Sequence, residues 1–234
     1  MTGTTLGNAA PVIDAVAEMV DGVFIEAQSM RRELADCFHR FDADAPTTRD
    51  VAAIQPRLVT ALRNGGGLLK GAGVVLAPGV LMDARLWIDW WALDGTGAIG
   101  PAVFDFDEDS LDFYDYTGAD WYLAPRNGSR RSLVGPYVDF NGINDYIVTA
   151  TVPVTVDGRF VGVAGADLSV DELERRLIVA NRRFHAELVV VNASDRIVAS
   201  TSPRHVVGSL LQADPDAKCH AVGGFSWSIV TLGG

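Results

Sequence analysis

Cysteine is nearly missing from the 234 residues: Cys37 and Cys219 are the only two, far apart and in neither a CxxC nor a metal-chelating spacing. The four histidines, His39, His185, His205 and His220, are equally scattered. No disulfide framework, metal site or cofactor is therefore expected. Basic residues are scarce as well. Nineteen Lys and Arg against thirty Asp and Glu leave a net charge of −11, which repels nucleic-acid backbones and anionic lipid and favours cationic partners. The same acidity also serves plain solubility. Long apolar runs are lacking too, with no stretch of eighteen uncharged apolar residues. The first apolar segment, AAPVIDAVAEMV, carries Asp14 and Glu18 and has no basic leader, so it reads as neither signal peptide nor membrane span. A cytoplasmic location is the expectation that follows.

Catalytic signatures are missing in turn. The chain has no GxSxG, HExxH, Walker loop or GxGxxG between strand and helix. The glycine run Asn64-Gly65-Gly66-Gly67 is followed by no Gly-Lys-Ser/Thr and reads as a helix stop. Asp105, Asp107, Glu108 and Asp109 read as a solvated acidic loop. No catalytic residue is expected, and the chain reads as a binding protein rather than an enzyme.

What is present is a core-forming composition, 48% hydrophobic, enough for one large domain or two small lobes. From Val12 to Phe41 apolar residues recur at steps of three and four, predicting a helix of roughly 45 Å. Such a helix spans two lobes or pairs with a second copy as a homodimer. A second helix is predicted from Thr48 to Arg63 with a kink at Pro56. Strand-like segments follow over 73–77, 85–93 and 97–104. In the middle one, alternation puts Leu86, Ile88 and Trp90 on one face and Arg85, Trp87, Asp89 and Trp91 on the other. The second of these faces either floors a pocket or lies under the long helix. Segments 145–156 and 159–167 form a hairpin across Asp157-Gly158. Ser169 with Glu172 makes a capping box for a helix to Asn181, and a smaller β-rich unit completes the chain. The fold class is thus α+β. A long N-terminal helix (1–43) precedes two PAS-like antiparallel-sheet lobes, 44–168 and 169–234, the second opening on a connector helix.

Between Asp112 and Asp167 the sequence gathers Tyr114, Asp120, Trp121, Tyr122, Tyr137, Asp139, Tyr146 and Asp167. Three segments there, Gly135-Pro136-Tyr137-Val138-Asp139, Tyr146 to Val154 and Val161 to Leu168, resemble the signature of the Cache sensor domain. More closely they resemble its double form, found outside the membrane in bacterial chemoreceptors and sensor kinases. Leu188 to Ser200 is similar to the first hairpin of that family's proximal lobe.

In amino-acid-sensing members, the resemblance implies, the distal pocket is lined by a tyrosine, an arginine five residues on, and a Trp-Tyr pair two beyond that. A later tyrosine and the aspartate of a GxD motif complete it. The matching positions hold Tyr114, Ala119, Trp121, Tyr122, Tyr137 and Asp167. The arginine that would clamp a ligand carboxylate in a bidentate pair is replaced by Ala119, with Asp120 beside it. The implied ligand is an amine without a carboxylate, held by Asp120 and Asp167 as counter-ions and by the rings of Trp121, Tyr122 and Tyr137. An amino-acid ligand, and a non-catalytic interaction module with a vestigial pocket, stay open beside it. So do plainer roles: core packing for Trp121 and Tyr122, helix capping for Asp120, bracing of the connector for Asp167. Asp139 and Asp145 read as turn residues. With no membrane span in view, the signal is expected to pass to a separate signalling or transport partner.

Overall fold

The computed structural model describes residues 6–41, 45–139 and 145–232. Helix α1 (Leu6–His39) is the predicted long helix. Its buried stripe, with Val12, Val16, Val20, Phe24, Ala27, Met30 and Leu34 fully or almost fully buried, faces the main core. Where one kinked helix was expected the chain breaks and restarts. Helix α2 (Thr48–Val51), a 3₁₀ turn (Ala52–Ile54) and α3 (Gln55–Asn64) follow one another. Pro56 sits in the first turn of α3, where its missing N–H has no helical partner to lose. Thr47 and Asp50 close a reciprocal capping box on α2.

Strands β1 (Leu69–Leu76), β2 (Ile88–Leu93) and β3 (Ile99–Pro101) come next, then a short helix α4 (Asp120–Arg126). Strands β4 (Ser132–Val138), β5 (Tyr146–Val156) and β6 (Arg159–Ser169) complete a six-stranded antiparallel sheet of order β3-β2-β1-β6-β5-β4. The β5–β6 hairpin turns at Asp157 (φ 49°) and Gly158 (φ 78°), the paired positive dihedrals that a two-residue turn between twisted strands needs. Ser169 Oγ accepts from the Glu172 N–H and starts α5 (Val170–Asn181). The smaller unit follows as β7 (Leu188–Val191), β8 (Ile197–Ser200), β9 (Lys218–Ala221) and β10 (Ser228–Thr231), in order β8-β7-β10-β9.

Helix α1 spans both sheets. It packs on β5 and β6 of the first, and its Phe24 ring stacks on Phe225 beside the second at 5.6 Å. Arg131, next to β4, lies over both rings and pairs with Asp21 at 2.7 Å. Across the six-stranded sheet the side chains divide by the period of two. Ala72, Val74, Leu76, Val148, Ala150, Ala164, Ala166 and Leu168 join the core beneath α1. The opposite face is free to carry something else.

Candidate ligand-binding site

That opposite face is the floor of a pocket. Val75 of β1, Ile88 and Trp90 of β2, Asp167 of β6, Thr149 of β5 and Tyr137 of β4 contribute to its lining from the sheet. Thr149, Asp167 and Gly71 sit at one register level across β5, β6 and β1, which brings residues distant in sequence to one spot. The segment from β3 to α4 folds over them as a lid, adding Phe104, Tyr114 and Trp121, while Asp139 closes the end of β4. The cavity is about 40 Å³ and open to solvent on one side, space for a few water molecules.

The lid is held by aromatic packing and two fixed bonds. Tyr116, fully buried, donates its hydroxyl to the Leu76 carbonyl at 2.7 Å and stands edge-on to Tyr122 at 5.4 Å. Thr151 Oγ1 donates to the Trp121 carbonyl at 2.7 Å, fastening α4 to β5. Phe104 and Tyr114 stack at 5.1 Å.

Asp167 is the polar centre, only 4% exposed. Its Oδ1 accepts from Thr149 Oγ1 (2.7 Å) and its Oδ2 from Trp90 Nε1–H (3.1 Å). The Thr149 proton points at Asp167, so the Tyr137 hydroxyl donates to Thr149, giving a relay from Tyr137 through Thr149 to the carboxylate. Burial pushes the Asp167 carboxyl up to about 7; the charge of Asp139 pushes the same way, while the bonds from Thr149 and Trp90 pull it down. Burial, with the negative charges of Asp139 and Asp167, raises Tyr114 to about 12, and burial raises Tyr137 further. Both phenols are therefore neutral donors.

Of the sequence-selected residues, Tyr114, Trp121, Tyr137 and Asp167 meet in this pocket. Tyr122 does not line it: its ring is buried between Tyr116, Trp121 and Phe160, as the packing core of the lid. Asp120 is exposed in the first turn of α4, with Ala119 as N-cap, where its charge favours the helix N-terminus. Tyr146 points toward the second sheet, against Gly208. Asp139, read as a turn residue, lines the pocket instead. The Trp87/Asp89/Trp91 face is not the floor. Trp87 and Trp91 pack on the main core, and Asp89 accepts from Gln55 of α3 and from Trp91 at 3.1 Å each. The floor is the other face, through Ile88 and Trp90. Trp90 and Thr149 were missed, although both share the alternation phase that carries Asp167.

A half-open aromatic and carboxylate pocket on the first of two antiparallel sheets, with a long helix spanning both, is the arrangement of the double-Cache, or PDC, fold. In keeping with this, residues 99–175 match the model of the methyl-accepting chemotaxis protein-like first PDC sensor domain. The methyl-accepting chemotaxis protein PscA of Pseudomonas syringae pv. tomato is 26% identical over 102 residues, 44% of this chain and 16% of that protein. The chain thus matches about a sixth of the length of this curated relative. Among solved structures, Methyl-accepting Chemotaxis protein X superposes with a TM-score of 0.74 at 16% identity, covering 96% of this chain and 94% of that one. The extracellular domain of soHK1S-Z6 gives 0.64 at 20% identity (93% and 89%). The ligand-binding domain of the Pseudomonas fluorescens chemoreceptor CtaA, in complex with L-serine, gives 0.62 at 17% identity (94% and 92%). The cytoplasmic placement expected from sequence does not stand beside these relatives, which are chemoreceptors and an extracellular domain. No described helix is long and apolar enough to cross a membrane, but a stretch matching 16% of a receptor does not reveal by that where it works.

Proposed function

We propose that the chain is the ligand-binding part of a chemoreceptor-type sensor, working outside the cytoplasmic membrane, and that it recognises a small ammonium ligand lacking a carboxylate. The observation that carries the proposal is the charge of the pocket. Asp139 and Asp167 line it with five aromatic rings, and no Arg, Lys or His is among its described lining residues. A cation over an aromatic face gains about 0.5 to 2 kcal/mol, and a charge-assisted bond to a buried carboxylate about 1.5 to 3 kcal/mol. A ligand carboxylate in the same place meets like charge without a clamp.

In this proposal Asp167 is the ammonium partner, with Tyr114, Trp121, Tyr137 and Trp90 as walls and Asp139 in the counter-ion place first given to Asp120. No residue is given a catalytic role. The working division is the one drawn from sequence: helix 1–43, pocket lobe 44–168, and connector with second lobe 169–234. Pairing of two copies through α1, whose Ile25 is 62% exposed, and a signal passed to a partner segment belong to the same proposal. Titration calorimetry with putrescine, spermidine and tyramine, against L-serine and L-valine, tests it. Heat from an amine and none from the amino acids is expected; tight binding of an amino acid alone sinks it. No heat from any of them favours the vestigial-pocket reading.

A further inference from the structure

Trp90 is the pocket residue whose placement demands most of its neighbours. Strand β1 lies between β2, which carries Trp90, and β6, which carries Asp167. Two strand spacings are roughly 9.6 Å, so the indole must lie across β1 to reach the carboxylate. It does so over two glycines. A Cβ at Gly71 would stand 2.5 Å from Trp90 Nε1 and 2.6 Å from Asp167 Oδ2; one at Gly73 would stand 2.6 Å from Trp90 Cε3. Gly71 and Gly73 are successive residues on the pocket face of β1. Any side chain at Gly71 would sit between donor and acceptor.

Resting on Asp167 as the ammonium partner, we propose that Trp90, seated on the Gly71/Gly73 notch, is the positioning residue of the site: its N–H fixes Asp167 Oδ2 and keeps the carboxylate ionised while the ligand is bound. The groups facing Asp167 leave this to Trp90 and Thr149. Thr149 serves the other oxygen, Tyr114 and Tyr137 are neutral phenols, and Asp139 brings like charge. Among the described lining residues there is no cation to do the same work. The indole face also supplies pocket wall, so Trp90 separates from an ordinary wall residue only through its N–H.

Trp90→Phe keeps a ring over the glycines and removes the donor. In the ligand-free chain, the carboxyl ¹³C resonance of Asp167, assigned by its loss in Asp167→Asn, reports its titration directly. We expect the midpoint to rise by about one pH unit, the equivalent of one lost bond of about 1.4 kcal/mol. Putrescine affinity is then expected to fall about fivefold at pH 7 and to recover toward the wild-type value above pH 9. Gly71→Ala, with the Trp90 side chain intact, should raise the midpoint in the same way. An unmoved midpoint in Trp90→Phe, with circular dichroism and melting unchanged, overturns the positioning role. So does a loss of affinity equal at every pH. If the wild type binds no amine while the midpoint moves as expected, the amine reading fails and the role of Trp90 toward Asp167 stands.

Discussion

The two sheets are both antiparallel and differ in what they put on their faces. In the second sheet, all four residues of β7 are buried, and Val198, Trp227 and Ile229 fill the space toward the main core. Val189, Val191, Ile197 and Val230 fill the other side. In the first sheet the face beneath α1 is filled likewise, but the opposite face carries Gly71, Gly73, Thr149, Thr151, Gly165 and Asp167 at the same period. A pocket arises where small and polar residues hold one alternation phase over several adjacent strands. Where branched apolar residues hold both phases, the sheet makes core.

Substitutions should separate the two units in order of size. Trp227→Ala, immediately before β10 and fully buried, should lower stability by about 3 to 5 kcal/mol while leaving the affinity of the remaining folded chain near wild type; urea melts and calorimetry on one sample measure both. Asp167→Asn in the first should do the reverse, weakening amine binding at least tenfold, about 1.5 to 3 kcal/mol. It should also raise stability at alkaline pH. A carboxyl raised from 3.8 to about 7 on folding contributes stability that is fully present below pH 4 and lost as pH rises through 7. Melting temperatures of wild type and Asp167→Asn should therefore diverge between about pH 4 and 7, the variant melting higher, and run parallel above. Amine affinity of the wild type should rise over the same window as Asp167 ionises.

Tyr137→Phe removes the first donor of the relay and should cost about 0.5 to 1.5 kcal/mol in binding, read as a several-fold weaker affinity. Asp120→Asn, on the exposed first turn of α4, should change binding by less than 0.5 kcal/mol. A large effect there would return Asp120 to the ligand and redraw the pocket mouth.

Most of the architecture was legible because its signals are local. The stripe of α1, the Asp157-Gly158 turn and the Ser169/Glu172 cap each lie within a few residues. Pro56 was read as a kink within one helix; it sits instead in the first turn of a new one, which depends on the 3₁₀ break before it. Within the site, Tyr114, Trp121, Tyr137 and Asp167 were accessible through the family pattern. Trp90 and Thr149 were not, since their roles follow from strand order: only when β1 stands between β2 and β6 do the glycines become a notch. Tyr122 shows the converse. It adjoins Trp121 in sequence, yet successive residues of a helix point apart, so one faces the pocket and its neighbour the lid core. Location was misjudged for a different reason: the lack of an apolar span in this stretch was read as a location, and such a lack says nothing about where the chain works.

The sharpest test of the pocket is a matched pair of ligands differing only in the carboxylate: ethanolamine against L-serine, and isobutylamine against L-valine, titrated calorimetrically at pH 8. A site of two aspartates and aromatic walls, without a basic clamp, should bind the amine of each pair at least tenfold more tightly. Tighter binding of L-serine and L-valine than of their decarboxylated partners would contradict it.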